Sequence, residues 1–143
     1  MGISVGRDRS FEVMNRYLTE VLVDRKLEVI DQIAAEDMKD WSQTIPGRAG
    51  LVHHVHDFWR IFPEVEVKVL RIIADEDQVV GMWRFKGVAV EEYWGMKPNG
   101  TPIAVTVSSC FRLVDGLIKD YWLIYNALDA ITQMGAQIHD PQA

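Results

Sequence analysis

Hydrophobic side chains recur every three or four positions through the first third of the chain, a period that predicts helices. The first predicted helix runs from Ser10, which can cap it, to about Asp24. Its hydrophobic stripe consists of Phe11, Met14, Leu18, Val21 and Leu22. The pattern returns in a shorter segment from Leu27 to Ala34, which we expect to pair with the first helix in antiparallel fashion.

A third predicted helix follows Pro46-Gly47 and ends before Pro63, because proline and glycine interrupt a helix. Residues 37–48 predict an irregular connector that places Asp40 near the mouth of a pocket. At about 100° per residue, His54 is the one histidine of the third helix that could face such a pocket. The alternative is a half-exposed histidine on the flank of the helix.

From residue 65 onward the period falls to two, which predicts strands over residues 65–73, 79–89, 103–113 and 117–125. Glu91–Trp94 is expected to continue the second strand or its edge. The Asp115-Gly116 pair is typical of a tight hairpin turn between the last two strands.

Alternation along the strands predicts which side chains share a face. In the strand over residues 79–89, Trp83 and Phe85 point to one side, and Arg84 and Lys86 point to the other. In the strand over residues 103–113, one face carries Val105, Val107, Ser109 and Phe111. In the last strand, the alternation groups Asp120, Trp122 and Ile124 with Asn126. We expect the carboxamide of Asn126 to look into the hollow of the sheet.

Helices followed by a meander of long strands indicate an α+β fold, in which a curved antiparallel sheet wraps around three N-terminal helices. The curvature leaves a conical hollow. Aromatic and aliphatic side chains could line it as a slot for a polycyclic or isoprenoid ligand, or could pack as ordinary core. The predicted ligand-binding positions are Trp41, Trp59, Phe62, Trp83, Phe85, Tyr93, Val107, Phe111, Trp122 and Ile124.

The surface pattern predicts which partners the chain has. The outer sheet face, with Thr106, Ser108 and Cys110, is flat and mixed in polarity, so a second copy of the chain is expected to cover it as a homodimer. A formal net charge of −6 argues against nucleic acid as a partner. No apolar run reaches the length that would predict a membrane partner.

The 143 residues fit one domain, with a core over about residues 10–135 and flexible tails at 1–9 and 136–143. Cys110 is the single cysteine, so the chain has no internal disulfide and no thiolate metal site. This points to a reducing compartment, and we expect a cytoplasmic protein.

Six short stretches, taken in order, carry a resemblance to a known family. They are Pro46-Gly47-Arg48-Ala49-Gly50, Ile61-Phe62-Pro63-Glu64, Ile73-Ala74-Asp75-Glu76-Asp77-Gln78-Val79, Trp94-Gly95-Met96-Lys97-Pro98-Asn99-Gly100, Phe111-Arg112-Leu113-Val114-Asp115-Gly116-Leu117-Ile118 and Gln133-Met134-Gly135. In this order they resemble the SnoaL-like polyketide cyclases, a branch of the cone-shaped fold typified by nuclear transport factor two and ketosteroid isomerase.

The resemblance implies a small dimeric enzyme or binding module, without metal or organic cofactor, that acts on polyketide or terpenoid intermediates of secondary metabolism. In the family's aldol cyclases, a carboxylate at the end of the last strand acts as acid and base, helped by a histidine on the neighbouring strand. An ungapped alignment from the Asp115-Gly116 turn puts Asn126 and Ser109 at these two positions. Asn126 cannot exchange a proton near neutral pH. The pair is expected either to hold a substrate carbonyl or enolate by hydrogen bonds or to satisfy each other as a buried polar pair.

The resemblance therefore favours a cofactor-free tailoring enzyme of the cyclase or isomerase type, acting on a hydrophobic carbonyl compound. Proton transfer would fall to His54, Asp40, water or a tyrosine at the rim of the hollow, Tyr93 or Tyr125. The aromatic residues would act as a shape template. Two alternatives stay open: a hydroxylase-like protein of the same fold, and a non-catalytic binding or dimerisation module. A hydrogen-bonded His or Asp inside the hollow would favour catalysis over binding alone.

Overall fold

The computed structural model describes residues 5–142 and begins with a helical unit. Helix α1 (Val5–Arg16) continues without a break into a wider π-helical segment, Tyr17–Val23. A turn of 3₁₀-helix (Leu27–Val29) then leads into the short helix α2 (Ile30–Ile33). Both helices predicted for this part of the chain are therefore present.

Helix α1 begins earlier than predicted, so Ser10 is not its cap. Ser10 lies inside the helix, is fully buried, and donates its hydroxyl hydrogen to the backbone oxygen of Glu76 at 3.0 Å. Residues 5–9 are helical and not a tail, and residues 1–4 of the expected tail lie outside the described part of the chain. Phe11 is exposed and leaves the predicted stripe. The buried stripe consists of Ser10, Val13, Met14, Tyr17, Leu18, Val21 and Leu22.

Five strands form one curved sheet in the order β1-β5-β4-β3-β2. Their bounds are β1 (Ala34–Asp40), β2 (Glu66–Ala74), β3 (Gln78–Val88), β4 (Pro102–Val114) and β5 (Leu117–Tyr125). Strand β1 lies parallel to β5, and the other three pairings are antiparallel. Helix α3 (Arg48–Ile61) precedes β2, and helix α4 (Ala127–Gln133) follows β5. The α+β fold is confirmed, with a mixed sheet in place of a wholly antiparallel one.

Strand β1 includes residues 37–40 of the predicted irregular connector, so the prediction is wrong for these residues, whereas residues 41–47 are irregular as predicted. Its sequence is mostly polar, so neither hydrophobic period stands out. Ala34, Met38 and Asp40 are buried, while most residues between them lie at the surface. A strand at the edge of a sheet pairs on one side only, and polar residues there prevent it from pairing with other chains.

A β-bulge in β5 sets the side of that strand that faces the helices. Near the turn Leu113 pairs with Ile118, but Arg112 pairs with Asp120, which leaves Lys119 without a partner in β4. The extra residue reverses the alternation, because side chains in a strand change face at every position. Beyond the bulge the inward side chains are Tyr121, Leu123 and Tyr125. The predicted inward group of Asp120, Trp122, Ile124 and Asn126 therefore lies on the outer side, and that prediction is wrong.

The inner faces of β3 and β4 form the core of the sheet together with α1. In β3, Trp83 and Phe85 are buried while Arg84 and Lys86 are exposed, as their alternation predicted. In β4 the predicted inner group is buried throughout: Val105, Val107, Ser109 and Phe111. The alternation of β3 and β4 was therefore predicted correctly from the sequence.

The segment after β3 turns sharply and does not continue the strand, so the prediction for Glu91–Trp94 is wrong. Tyr93 and Met96 pair through two backbone hydrogen bonds of 2.9 Å. Between them Trp94 (φ 50°) and Gly95 (φ 80°) both adopt left-handed conformations, as a type I′ turn requires. The backbone N–H of Val90 donates to the oxygen of Ile61 at 2.9 Å, which holds this turn beside the end of α3.

Helix α4 closes the described part of the chain. Asn126 caps it, because its Oδ1 accepts a hydrogen bond from the backbone N–H of Asp129 at 2.9 Å. The side-chain amide of Gln133 bonds both the N–H and the oxygen of Ala104, each at 2.9 Å, and so occupies the edge of β4 beyond the end of β5. Within residues 5–142, no helix combines the length and the apolar character needed to cross a membrane.

Gly50 in the first turn of α3 provides a stability test of the packing beside Asp40. A Cβ atom at this position would overlap the backbone oxygen of Ile45 and the side chain of Gln43. Alanine is favoured over glycine in helices by about 1 kcal/mol, yet we expect Gly50→Ala to lower the free energy of unfolding by about 1–3 kcal/mol. Urea denaturation followed by circular dichroism measures the change.

Gly135→Ala is the matched control, because no atom lies within 4 Å of the added Cβ and only the backbone conformation (φ 102°) opposes it. We expect it to cost about 1 kcal/mol. A Gly50→Ala variant as stable as the wild type would contradict the described packing.

Candidate functional site

A cavity of about 240 Å³ opens between the π-helical segment, α3 and the inner face of the sheet. Its walls are mainly aromatic and aliphatic, which suits a hydrophobic ligand. The lining residues are Tyr17, Leu22, His54, Val55, Asp57, Phe58, Ile61, Phe62, Trp83, Phe85, Tyr93, Trp94, Val107, Tyr121, Leu123 and Tyr125.

A histidine and a carboxylate from two different elements meet at the wall of this cavity. Nδ1 of His54, on α3, lies 2.7 Å from Oδ2 of Asp40, at the end of β1. The Asp40 side chain is fully buried, whereas that of His54 is 24 % exposed. Oδ1 of Asp40 accepts hydrogen bonds from the backbone N–H and the hydroxyl of Ser42, at 2.9 and 2.5 Å.

These bonds keep Asp40 ionised. Burial is the largest single influence and raises the pKa of Asp40, but the hydrogen bonds from His54 and Ser42 and the charge of His54 together outweigh it. The net result is a pKa below the usual value. Because an ionised carboxylate only accepts hydrogen bonds, Nδ1 of His54 carries a proton, and Nε2 is the ring nitrogen that holds the lone pair whenever the imidazole is neutral.

The ring of Tyr121 stacks against one face of the His54 ring. The two rings stack with centroids 5.8 Å apart and planes 17° from parallel. The hydroxyl of Tyr121 bonds Ser109 Oγ at 3.1 Å, and Ser109 Oγ also accepts the indole N–H of Trp83 at 3.0 Å. Burial raises the pKa of Tyr121 well above its usual value, so this phenol stays neutral.

Ser109 is therefore a buried structural residue and not part of the cavity wall. It is fully buried, and its hydroxyl already bonds two neighbours. The predicted pairing with Asn126 does not occur, because the bulge in β5 puts Asn126 on the outer side of the sheet. Asn126 is exposed and caps α4, so the prediction that its carboxamide looks into the hollow is wrong.

Half of the predicted ligand-binding residues lie on the cavity wall: Phe62, Trp83, Phe85, Tyr93 and Val107. Trp59 and Phe111 do not. Trp59 lies on the other side of α3, where the guanidinium of Arg25 sits 5.2 Å from its ring. Phe111 packs edge-on against Tyr17 and Tyr121 in the core, at 5.3 Å from each.

The remaining three predicted positions lie on the outer face of the sheet, so the prediction that they bind ligand in the cavity is wrong for them. Trp41 is 52 % exposed and Trp122 is 39 % exposed, and their rings stack 6.2 Å apart. The indole N–H of Trp41 donates to Asp120 at 3.0 Å. Ile124 is 61 % exposed beside them. Trp122 and Ile124 lie on the outer face because the bulge reverses the alternation of β5. Trp41 follows the end of β1 on the same outer side.

Sequence analysis missed two kinds of lining residue. Tyr121 and Leu123 were assigned to the wrong face because of the bulge, and Tyr125 was expected only at the rim of the hollow. Tyr17 and Leu22 are five positions apart, which in an α-helix separates them by about 140° around the axis. The π-helical segment brings residues five apart to the same face, because its hydrogen bonds join such residues.

The family model of SnoaL-like polyketide cyclases matches residues 12–134. Among curated proteins, the search gave no significant match. A solved structure of a protein from Jannaschia sp. CCS1, named as a SnoaL-like polyketide cyclase, superposes with a TM-score of 0.83 at 20 % identity, covering 96 % of this chain and 99 % of that one.

Two Streptomyces structures have the same fold. TsrD from Streptomyces laurentii gives a TM-score of 0.81 at 17 % identity, covering 92 % of this chain and 98 % of its own. AclR from Streptomyces galilaeus, named as a hydroxylase, gives a TM-score of 0.68 at 19 % identity, covering 96 % of this chain and 85 % of its own. At these identities the likeness shows the fold alone, whereas the family model spans most of the sequence. The chain belongs to the SnoaL-like polyketide cyclase family.

Proposed function

We propose that this protein is a cofactor-free tailoring enzyme of the cyclase or isomerase type, acting on a hydrophobic polyketide- or terpenoid-like carbonyl compound. The observation that carries the proposal is the hydrogen bond between Asp40 and His54, on the wall of an aromatic cavity. A non-catalytic binding module would have no need to bury a carboxylate and orient an imidazole with it, since buried charge is costly. The arrangement therefore supports catalysis over binding alone.

In this proposal His54 is the base. Its Nε2 removes a proton from the carbon next to the substrate carbonyl, the C–H electron pair forms a carbon–carbon double bond, and the carbonyl π electrons move to oxygen. Asp40 stabilises the imidazolium that results. In an isomerase the proton returns to a different carbon; in a cyclase the enolate carbon attacks a second carbonyl, and the proton goes to the new alkoxide oxygen. General acid–base catalysis of this kind accelerates a reaction by about a hundred- to ten-thousand-fold.

Hydroxylation is the second candidate, because AclR, named as a hydroxylase, has the same fold over 96 % of this chain. The same base could form the enolate of an aromatic ketone, whose carbon would add molecular oxygen and recover the proton as a hydroperoxide that holds both oxygen atoms. Oxygen consumption during turnover separates the two candidates, because a cyclase or isomerase consumes none.

A homodimer through the outer face of the sheet is also part of the proposal. Trp41, Trp122 and Ile124 expose large apolar surfaces there. A second copy of the same face is self-complementary about a two-fold axis and would cover these side chains. The free thiol of Cys110 on this face supports a reducing, cytoplasmic setting, and the family supports a place in secondary metabolism.

The first test is exchange of the α-protons of 2-tetralone, a small bicyclic ketone, in deuterated buffer, followed by proton NMR. We expect the protein to accelerate exchange, and we expect His54→Gln to reduce this acceleration by about a hundred- to ten-thousand-fold. Asp40→Asn should reduce it less, because Asp40 acts only through His54.

Asn126→Leu serves as the control, since Asn126 caps α4 outside the cavity. It should retain wild-type exchange and lose about 1 kcal/mol of stability. Unchanged exchange in His54→Gln would overturn His54 as the base, and a loss of exchange in Asn126→Leu would contradict the position of Asn126 outside the cavity.

The stability of the protein should depend on pH through Asp40. The pKa of Asp40 is lower in the folded protein than the value of about 3.9 expected for an unfolded chain, so its bonds stabilise the fold above that value. This contribution is lost as the pH falls through the folded pKa. We expect Asp40→Asn to be less stable than the wild type by about 1–3 kcal/mol near neutral pH.

The difference between wild type and Asp40→Asn should shrink as the pH is lowered below about 4. Urea denaturation at several pH values measures it. Asp140→Asn, at an exposed carboxylate far along the chain, is the control and should match the wild type throughout. A difference that grows in acid would show that Asp40 is not held as the carboxylate.

The dimer proposal predicts that Ile124→Arg shifts the protein to a monomer, because it puts a charge into the apolar outer face. Light scattering coupled to gel filtration measures the mass. Val5→Arg, the same kind of change at an exposed position on α1, should remain dimeric. A monomeric wild type at micromolar concentration would overturn the dimer.

A further inference from the structure

The cavity wall carries further polar residues besides His54, among them Asp57 and Tyr125. Tyr125 is the last residue of β5, and its half-buried side chain lies on the inner face. Its hydroxyl oxygen accepts the indole N–H of Trp94 at 2.6 Å and the hydroxyl hydrogen of Tyr93 at 3.4 Å. All three side chains belong to the cavity wall.

The hydroxyl oxygen of Tyr125 accepts both of these hydrogen bonds, and its own hydrogen donates to no group among residues 5–142. An indole N–H can only donate, so Trp94 uses an acceptor position on the phenol oxygen. Tyr93 uses a second one. The hydroxyl hydrogen of Tyr125 itself then has no acceptor among residues 5–142, although the group sits in a wall that is mostly apolar. Polar groups in such surroundings normally have partners.

The turn that carries Trp94 positions its indole N–H against the hydroxyl of Tyr125. Trp94 itself has a left-handed backbone (φ 50°), which is unfavourable for a bulky residue, and its side chain is 62 % exposed. The indole N–H nevertheless points to Tyr125. An ion pair between Arg60 on α3 and Glu91, together with the Val90 to Ile61 backbone bond, fixes the base of the turn.

We propose that Tyr125 donates its hydroxyl hydrogen to the carbonyl oxygen of the substrate, with Trp94 as the residue that positions it. The proposal rests on the proposed function, because it names the group that receives the oxygen of the ketone whose α-proton His54 removes. No proton leaves Tyr125 in this step. As the carbonyl electrons move to oxygen, the negative charge there strengthens the hydrogen bond, so Tyr125 stabilises the enolate more than the ketone.

The test compares the affinities of 2-tetralone and tetralin, which has the same two rings without the oxygen. Ligand-observed NMR competition measures both dissociation constants. We expect the wild type to prefer the ketone, and Tyr125→Phe to lose about five- to tenfold of that preference, the equivalent of one neutral hydrogen bond. The affinity for tetralin should stay the same, because the phenyl ring keeps the apolar wall.

Trp94→Phe should lose a smaller part of the ketone preference, since Tyr125 then keeps its hydrogen but not its orientation. Trp59→Phe is the matched control, because Trp59 lies outside the cavity wall and its indole N–H bonds no group among residues 5–142. It should keep the full preference. Melting temperatures verify that each variant is folded, and Trp94→Phe tests the proposal even if Tyr125→Phe does not fold.

The binding readout separates this proposal from the assignment of the base. His54→Gln should abolish α-proton exchange and keep the ketone preference, whereas Tyr125→Phe should reduce both. A Tyr125→Phe variant that still prefers the ketone overturns the role of Tyr125, as does a wild type that binds ketone and hydrocarbon equally. Unchanged exchange in His54→Gln together with a lost preference in Tyr125→Phe would overturn the base alone.

Discussion

The β-bulge at Lys119, a residue that has no partner in β4, determines the chemistry of the cavity. With a regular hairpin, Phe111 would pair with Asp120, and the inner wall would receive Asp120, Trp122 and Ile124. The bulge pairs Phe111 with Tyr121 instead and turns Tyr121 and Tyr125 inward. One tyrosine supports His54 through ring stacking, and the other presents a hydroxyl to the cavity. Both polar features of the site depend on this register.

The sequence carried enough information for the presence of the helices, for the turn at Asp115-Gly116 and for the inner faces of β3 and β4. It also identified His54 correctly as the histidine of α3 that faces the cavity, because a helix has a fixed angular step. Strand β5 is different: both of its faces carry large apolar residues, so composition does not distinguish inside from outside. The inward side chains could be assigned only by counting residues from the turn. A bulge reverses that assignment, and it leaves no clear sign in the sequence.

The contact between Asp40 and His54 shows a second limit. Both residues were recognised as candidates, but nothing in the sequence placed them together, because β1 was interpreted as a connector. The contact forms when this polar edge strand joins the sheet in parallel with β5 and carries Asp40 to α3. A parallel pairing between distant segments is set by tertiary packing and not by a local turn, so local patterns did not predict it.

The buried polar chain behind the cavity wall explains why so few polar groups are free to meet a ligand. Trp83, Ser109 and Tyr121 use their hydrogen bonds on each other, as buried polar groups must. The other polar residues of the wall include His54 and Tyr125, to which the proposals assign the substrate, and Asp57, which pairs with His53 and Arg60. At about 240 Å³ the cavity is below the usual size for drug-sized ligands, and its walls are mostly apolar. Specificity must then come from the spacing between the carbonyl oxygen and the acidic carbon, and from the fit of the rings.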